Sequence, residues 1–316
     1  MRFVGAAEID ALLDYPSLIK ALREAFTGSI VAPMRHHHEI ARPGADAVLL
    51  LMPAWHAAPG GYLGVKTVSV FPDNVSRGKP SVMGTYLLMT GDSGEPLAAF
   101  DGQSLTLWRT AAASALAAGH LARADAARMT MIGAGALAPR LIAAQAAVRP
   151  IRDVAIWNRT PETARRLAAE LDRPGLRVTA TDDRESAVRS ADIVSAATLS
   201  AEPLVQGAWL RTGAHFDLVG AYNPRMRESD DEAVRRARVY VDTRAGALKE
   251  AGDIAQPLAS GALREADIAG DLADLCHGRV EGRRSADEIT LFKSVGTAIE
   301  DLAAAVLVWE RLRGSQ

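Results

Sequence analysis

The sequence predicts an α/β chain in two parts: a doubly wound parallel sheet, and before it a mostly antiparallel α+β part. Three observations carry this. The apolar run Arg128-Met129-Thr130-Met131-Ile132 passes into Gly133-Ala134-Gly135-Ala136-Leu137-Ala138, a G-x-G-x-x-A turn that continues into an alanine-rich segment with helical spacing. From there to residue 242, short apolar runs alternate with helical ones. Before it, apolar runs bounded by turn signals follow one another without helices between them.

The 316 residues suit two domains, and 48% hydrophobic residues suffice for a sizeable core. A net charge of −2 gives no general attraction to nucleic acid or an anionic membrane. Cys276 is the one cysteine, which precludes an internal disulfide or a cysteine metal cluster and fits a reducing cytoplasm. Glu8 and Asp10 come too early for a signal-peptide core, and no window of about 18 apolar residues predicts a membrane span.

In chain order, Ile9, Leu12, Leu13, Leu18, Leu22, Ala25 and Phe26 recur at helical spacing, with Pro16 opening the second helix of a pair. Residues 47–52, 62–70 and 82–89 read as an antiparallel meander, separated by Pro-Gly, Asp-Asn and Gly-Asp-Ser-Gly turns. Three cations stand out there. Arg35 follows Pro33-Met34, Lys66 sits inside an apolar strand, and Arg109 lies at the start of an alanine-rich helix with no acid nearby in sequence. Each is ordinarily a solvated charge; together they have the chemistry to grip a carboxylate. His36-His37-His38 alternate faces on an extended segment and cannot converge on one ion, so no metal is expected.

The glycine loop reads as a dinucleotide site. Gly133 allows the turn, Gly135 keeps side chains away from a pyrophosphate, and Ala138 lets helix and strand pack closely, while the N–H groups at Ala134, Ala136 and Leu137 face the phosphates. Residues 154–157 form the next strand. Asn158-Arg159-Thr160 then stand where an NAD site usually places an acid on the ribose 2′-hydroxyl. An amide, a guanidinium and a hydroxyl suit a 2′-phosphate, so NADPH is expected over NAD; Thr160-Pro161 also reads as a helix cap. Strands follow at 176–179, 193–197 and 215–219, with 239–242 the last, and helices at 185–190 and 231–238. Thr198, Val219, Gly220, Tyr222 and Asp242 fall at carboxyl ends, where such sheets bind ligands, with Glu250 and Asp253 beyond them. Residues 290–312 read as a return towards the first part, ending in a long helix.

Gly-Tyr-Leu-Gly-Val-Lys-Thr at 61–67, Asp-Gly-Gln-Ser-Leu-Thr-Leu-Trp-Arg-Thr-Ala-Ala-Ala-Ser-Ala at 101–115, Ile-Gly-Ala-Gly at 132–135, Trp-Asn-Arg-Thr at 157–160, Leu-Val-Gly-Ala-Tyr-Asn-Pro-Arg-Met-Arg-Glu at 218–228, Leu-Lys-Glu-Ala-Gly-Asp at 248–253 and Phe-Lys-Ser-Val-Gly at 292–296 resemble the ornithine cyclodeaminase/mu-crystallin family nearly end to end. The resemblance implies a homodimer. Residues 1–115 with 295–316 would form a substrate-binding and dimerisation domain, and residues 116–294 a Rossmann domain. It implies that Arg35, Lys66 and Arg109 hold a substrate carboxylate. It also implies that the helix starting at Thr110 and Ala111, with Arg109 before it, touches the cofactor phosphates.

Members differ in chemistry. Cyclodeaminases place an Asp after Val-Gly-x; here the residue is Tyr222, a poor base with an ordinary pKa of about 10. Asn158-Arg159-Thr160 likewise resembles the NADPH-using ketimine reductases rather than the NAD-using cyclodeaminases. The resemblance therefore implies an NADPH-dependent reductase of a small cyclic ketimine acid such as Δ1-pyrroline-2-carboxylate, with Lys66, Tyr222 and Glu250 as catalytic candidates. The alternatives are ornithine cyclodeaminase with NAD and a non-enzymatic NADPH-binding protein; retention of all three cations speaks against the latter.

Overall fold

The computed structural model describes residues 1–314. The chain opens with β1 (Arg2–Val4) and the expected helix pair, α1 (Ala6–Leu12) and α2 (Tyr15–Thr27). Asp14 caps α2, its Oδ1 accepting the Ser17 N–H at 2.8 Å, with Pro16 in the first turn. Then come β2 (Ile30–Val31), β3 (His36–Ile40), β4 (Ala47–His56), β5 (Tyr62–Val70), β6 (Val82–Thr90), β7 (Pro96–Asp101) and α3 (Gly102–Leu121). The remainder is β8 (Arg128–Ile132), α4 (Leu137–Val148), β9 (Asp153–Trp157), α5 (Pro161–Leu171), β10 (Arg177–Ala180), α6 (Arg184–Ser190), β11 (Ile193–Ala196), β12 (His215–Leu218), α7 (Asp231–Arg236), β13 (Arg238–Val241), α8 (Arg244–Glu250), α9 (Gly252–Ser260), β14 (Ile268–Asp271), α10 (Leu272–His277), β15 (Thr290–Lys293) and α11 (Ala298–Gly314).

The chain divides into two compact units, Met1–Thr110 with the segment from Thr297 onward, and Ala111–Gly296. In the first, the strand order is β1-β7-β6-β5-β4-β2, with β3 also on β4, and every pairing is antiparallel except that of β1 with β7. The register sets Met52, Lys66 and Tyr86 side by side on β4, β5 and β6, so the Lys66 side chain shares a face with apolar and aromatic neighbours. Helix α11 packs on α2 and against β4, β5 and β6. Its buried positions Ala304, Ala305 and Val308 are small enough for close approach to the sheet.

The second unit is a fully parallel sheet in the order β10-β9-β8-β11-β12-β15-β13-β14. The core strands are buried on both faces: Val194, Phe216, Leu218, Leu291 and Val241 line an apolar face, while the other sets the buried polar Ser195, His215, Asp217 and Thr290 beside Met131 and Phe292. The order reverses between β8 and β11, so the loops leaving those strands open a crevice at their carboxyl ends.

Two expectations are corrected. Residues 239–242 are not the last strand: β14 and β15 follow, and β15 inserts between β12 and β13. With four residues and a polar approach, β15 is defined by its partners on both sides rather than by a pattern of its own. Thr110 and Ala111 do not start a helix. Asp101 accepts the Ser104 N–H at 2.7 Å and begins α3 at Gly102, so Thr110 lies well inside it and its N–H belongs to the helical ladder.

At the start of α9, Gly252 has no room for a side chain: a Cβ there would stand 1.8 Å from the Met226 carbonyl oxygen. Gly252→Ala is expected to destabilise the protein by about 1–3 kcal/mol, as overpacking does, read as a lower thermal midpoint. An unchanged midpoint would mean that α9 does not approach the turn at Met226 this closely.

Candidate active site

The glycine loop has the geometry that a dinucleotide needs. Gly133 has φ +104°, and a Cβ on it would come within 2.8 Å of the Ala197 carbonyl, so neither its backbone nor its surroundings accept a side chain. At Gly135 the opposite holds, since nothing lies within 4 Å of the Cβ position and a ligand can reach the backbone there. Ala136 is the N-cap of α4 and offers no side-chain cap; the Ala138 N–H is taken by the Gly135 carbonyl at 3.0 Å and Pro139 has none, so the N–H groups of Ala136 and Leu137 are those the helix start presents to an anion.

The residues after β9 divide in their roles. Asn158 is used internally, its Oδ1 accepting the Ala134 N–H at 3.1 Å and its Nδ2 donating to the Thr160 carbonyl at 3.0 Å. It shapes the glycine loop. Arg159 and Thr160 are exposed; Thr160 is the N-cap of α5 with Pro161 following, yet its hydroxyl makes no capping bond. The fit to a 2′-phosphate therefore rests on Arg159 and the Thr160 hydroxyl.

The loops leaving β11 and β12 are fastened by Glu228, the last residue of the 218–228 motif, to which the sequence assigned no role. Its carboxylate accepts from the Thr198 N–H at 2.6 Å, the Thr198 hydroxyl at 2.8 Å, the Gly220 N–H at 2.7 Å and the Ala221 N–H at 3.3 Å. Gly220 permits this closeness, since a Cβ on it would meet the Thr198 carbonyl oxygen at 2.1 Å. Asp253 anchors the next turn, accepting the Glu228 and Ser229 N–H groups, both at 2.9 Å, while Lys293 stands 3.4 Å from its other oxygen. All three charged residues are fully buried. Burial pushes the Glu228 carboxyl up to about 7, against the pull of Lys293 and the Thr198 donors. Thr198 and Gly220 thus form one fixed wall with Val219, which is buried beside them. Tyr222, by contrast, is 42% exposed on the loop after β12, and partial burial raises its hydroxyl above the ordinary value, so it remains protonated and can donate. Glu250 is buried at the end of α8.

In the first unit the three expected cations share one electrostatic neighbourhood. Lys66 is 2% exposed; its Nζ donates to Asp301 Oδ1 at 2.8 Å and to the Thr106 hydroxyl at 3.3 Å. Arg109 donates through Nε to the same Asp301 oxygen at 3.0 Å and through NH1 to Glu300 at 2.8 Å. The acids that were missing from the sequence around Arg109 thus come from the first turn of α11, and Arg109 donates to both through Nε and NH1. The charge of Arg35 acts on both Lys66 and Asp301. Burial first, and the neighbouring Arg109 second, lower Lys66 to about 8 even with Asp301 beside it. Burial raises the Asp301 carboxyl, but the pull of Lys66 and Arg109 exceeds it and holds the group below its ordinary value. Gly64 makes room for the Tyr86 hydroxyl, 2.3 Å from where a Gly64 Cβ would stand; that hydroxyl is buried and makes no hydrogen bond. His36–His38 lie on β3, exposed on an outer strand.

A parallel sheet with this strand reversal and glycine loop, together with a separate sheet carrying buried cations, defines a dinucleotide-dependent oxidoreductase. The chain belongs to the ornithine cyclodeaminase/mu-crystallin family, whose pattern residues 3–316 match. It is 40% identical to the Arabidopsis thaliana protein SAR DEFICIENT 4, over 98% of this chain and 96% of that one. It is 36% identical to the Δ1-pyrroline-2-carboxylate reductase of Colwellia psychrerythraea, over 99% of both chains. The solved Δ1-pyrroline-2-carboxylate reductase of Thermococcus litoralis, in complex with NADH and L-proline, superposes with a TM-score of 0.94 at 34% identity, covering 100% of this chain and 98% of that one.

Glu228→Gln leaves one acceptor oxygen where two served four donors and turns an NH2 group towards N–H groups. The variant is expected to bind the dinucleotide at least about tenfold more weakly, which corresponds to about 1.4 kcal/mol, measured by fluorescence titration. Unaltered affinity would mean that the Thr198 and Gly220 loops keep their places without Glu228.

Proposed function

We propose that this chain is an NADPH-dependent reductase of small cyclic ketimine acids, of the kind that converts Δ1-pyrroline-2-carboxylate to proline. The observation that carries the reading is the buried pair Lys66 and Arg109. They bring an ammonium and a guanidinium together on one Asp301 oxygen, with the charge of Arg35 acting on both Lys66 and Asp301, and this is the chemistry that receives a carboxylate. The names of the relatives in Colwellia psychrerythraea and Thermococcus litoralis support the same substrate class.

Bound NADPH supplies the hydride. Lys66 and Arg109 fix the carboxylate and with it the orientation of the C=N carbon, a positioning effect that contributes several kcal/mol, on the order of 7–11 at the upper end. An iminium is already electrophilic, so the demand for proton transfer is modest, and the reading assigns it to Lys66, Tyr222 and Glu250. An exposed Arg159 where an NAD site places an acid supports NADPH; the Thermococcus litoralis structure holds NADH, so the preference for NADPH rests on Arg159 itself. Exposed apolar side chains on the first unit, Val31, Trp55, Val82 and Met83 among them, support a homodimer formed through that unit. Among the described residues no helix is long and apolar enough to cross a membrane; with the one cysteine, Cys276, the reading places the enzyme in the cytoplasm.

NADPH oxidation with Δ1-pyrroline-2-carboxylate, run beside an ammonia assay with ornithine and NAD, tests the reading. Imine-dependent consumption without ammonia is expected; ammonia from ornithine would favour cyclodeaminase chemistry despite Tyr222. Arg159→Glu is expected to reverse the cofactor preference, lowering kcat/KM with NADPH relative to NADH by at least about tenfold. An unchanged ratio would remove the argument for the 2′-phosphate.

A further inference from the structure

We propose that Asp301 is the positioning residue of the cation cluster: it fixes Lys66 and Arg109 against each other through one carboxylate oxygen and keeps Lys66 in its ammonium form. This rests on the reading of the cluster as the substrate-carboxylate site. Asp301 is fully buried, and its Oδ1 receives both Lys66 Nζ at 2.8 Å and Arg109 Nε at 3.0 Å. A single oxygen shared by an ammonium and a guanidinium sets the spacing of the two cations, as two separate partners would not. Glu300, also fully buried, takes Arg109 NH1 at 2.8 Å and fixes the tilt of the guanidinium plane.

Among the strongest influences on Lys66, Asp301 alone supports its charge. Arg109 on α3 and Arg35 on the segment before β3 repel it. Thr106 on α3 gives one long hydrogen bond at 3.3 Å, and Tyr86 on β6 presents an unpartnered hydroxyl that burial and Asp301 hold protonated. Burial adds its own penalty, and the balance leaves Lys66 at about 8. Without the Asp301 charge, that value falls through the neutral range. An amine cannot hold a carboxylate as an ion pair, so the alkaline limb of the activity profile moves to lower pH.

The test is the titration of Lys66 in the full-length protein labelled with carbon-13 at the lysine Cε. There are five lysines, Lys20, Lys66, Lys79, Lys249 and Lys293, and Lys66→Arg identifies the resonance. In Asp301→Asn the midpoint is expected to fall by about one to three pH units, with the alkaline limb of kcat/KM for the imine falling in parallel. Asp301→Glu keeps the charge but moves the oxygen; its midpoint is expected to stay nearer to wild type while KM rises. Thr106→Val removes a hydrogen bond and no charge, and is expected to shift the midpoint less than Asp301→Asn. If Asp301→Asn does not fold, Asp301→Ser, which leaves space for water, serves the same comparison. A Lys66 midpoint unmoved in a folded Asp301 variant overturns the proposal. Because the titration needs no turnover, a wild-type enzyme inactive on imines would overturn the functional reading and leave this result standing.

Discussion

The first unit is built around the cost of taking charge out of water. Removing an ammonium, a guanidinium and two carboxylates from solvent costs several kcal/mol per ion. The structure offsets this with short, shared hydrogen bonds: Asp301 to Lys66 and Arg109, and Glu300 to Arg109. The arrangement explains why α11 packs against β4, β5 and β6 and why Ala304 and Ala305 follow the acids on its buried side. Bulkier residues would hold Asp301 away from Lys66 and Glu300 away from Arg109.

The second unit applies the same device to loops. Glu228 and Asp253 satisfy backbone N–H groups that would otherwise be buried without partners where the strands end. Gly220 and Gly252 are glycines because the segments so tied lie closer than a Cβ allows. A rigid wall at the carboxyl ends of β11 and β12 is what a dinucleotide site requires, since a hydride donor must be held rather than merely bound.

Much of this was legible in the sequence. The glycine loop, β8 and β9 follow from a short apolar run, a turn and a helical period, which are local signals. Lys66 stood out because its strand neighbours are apolar, and burial is the outcome. The residues that escaped are those whose role depends on distant partners. Glu300 and Asp301 lie about 190 residues from Arg109, and acids in the first turn of a helix are ordinarily explained by its dipole. A signal was nonetheless present: Asp301, Ala305, Val308 and Leu312 fall at i, i+4, i+7 and i+11, so the acid occupies the apolar stripe. Glu228 offers no comparable pattern, because it lies in a loop and its donors come from two other loops. Asn158 was read as a phosphate ligand because its type suits one; only the structure shows its amide already committed to Ala134 and Thr160.

The central claim is that the buried cations receive a substrate carboxylate while Arg159 receives the cofactor's 2′-phosphate. A crystal structure of the protein with NADP+ and L-proline tests both at once. The account predicts the proline carboxylate within hydrogen-bond distance of Lys66 and Arg109, with the 2′-phosphate against the Arg159 guanidinium. Proline bound away from Lys66 and Arg109, or a 2′-phosphate with no contact to Arg159, would contradict it.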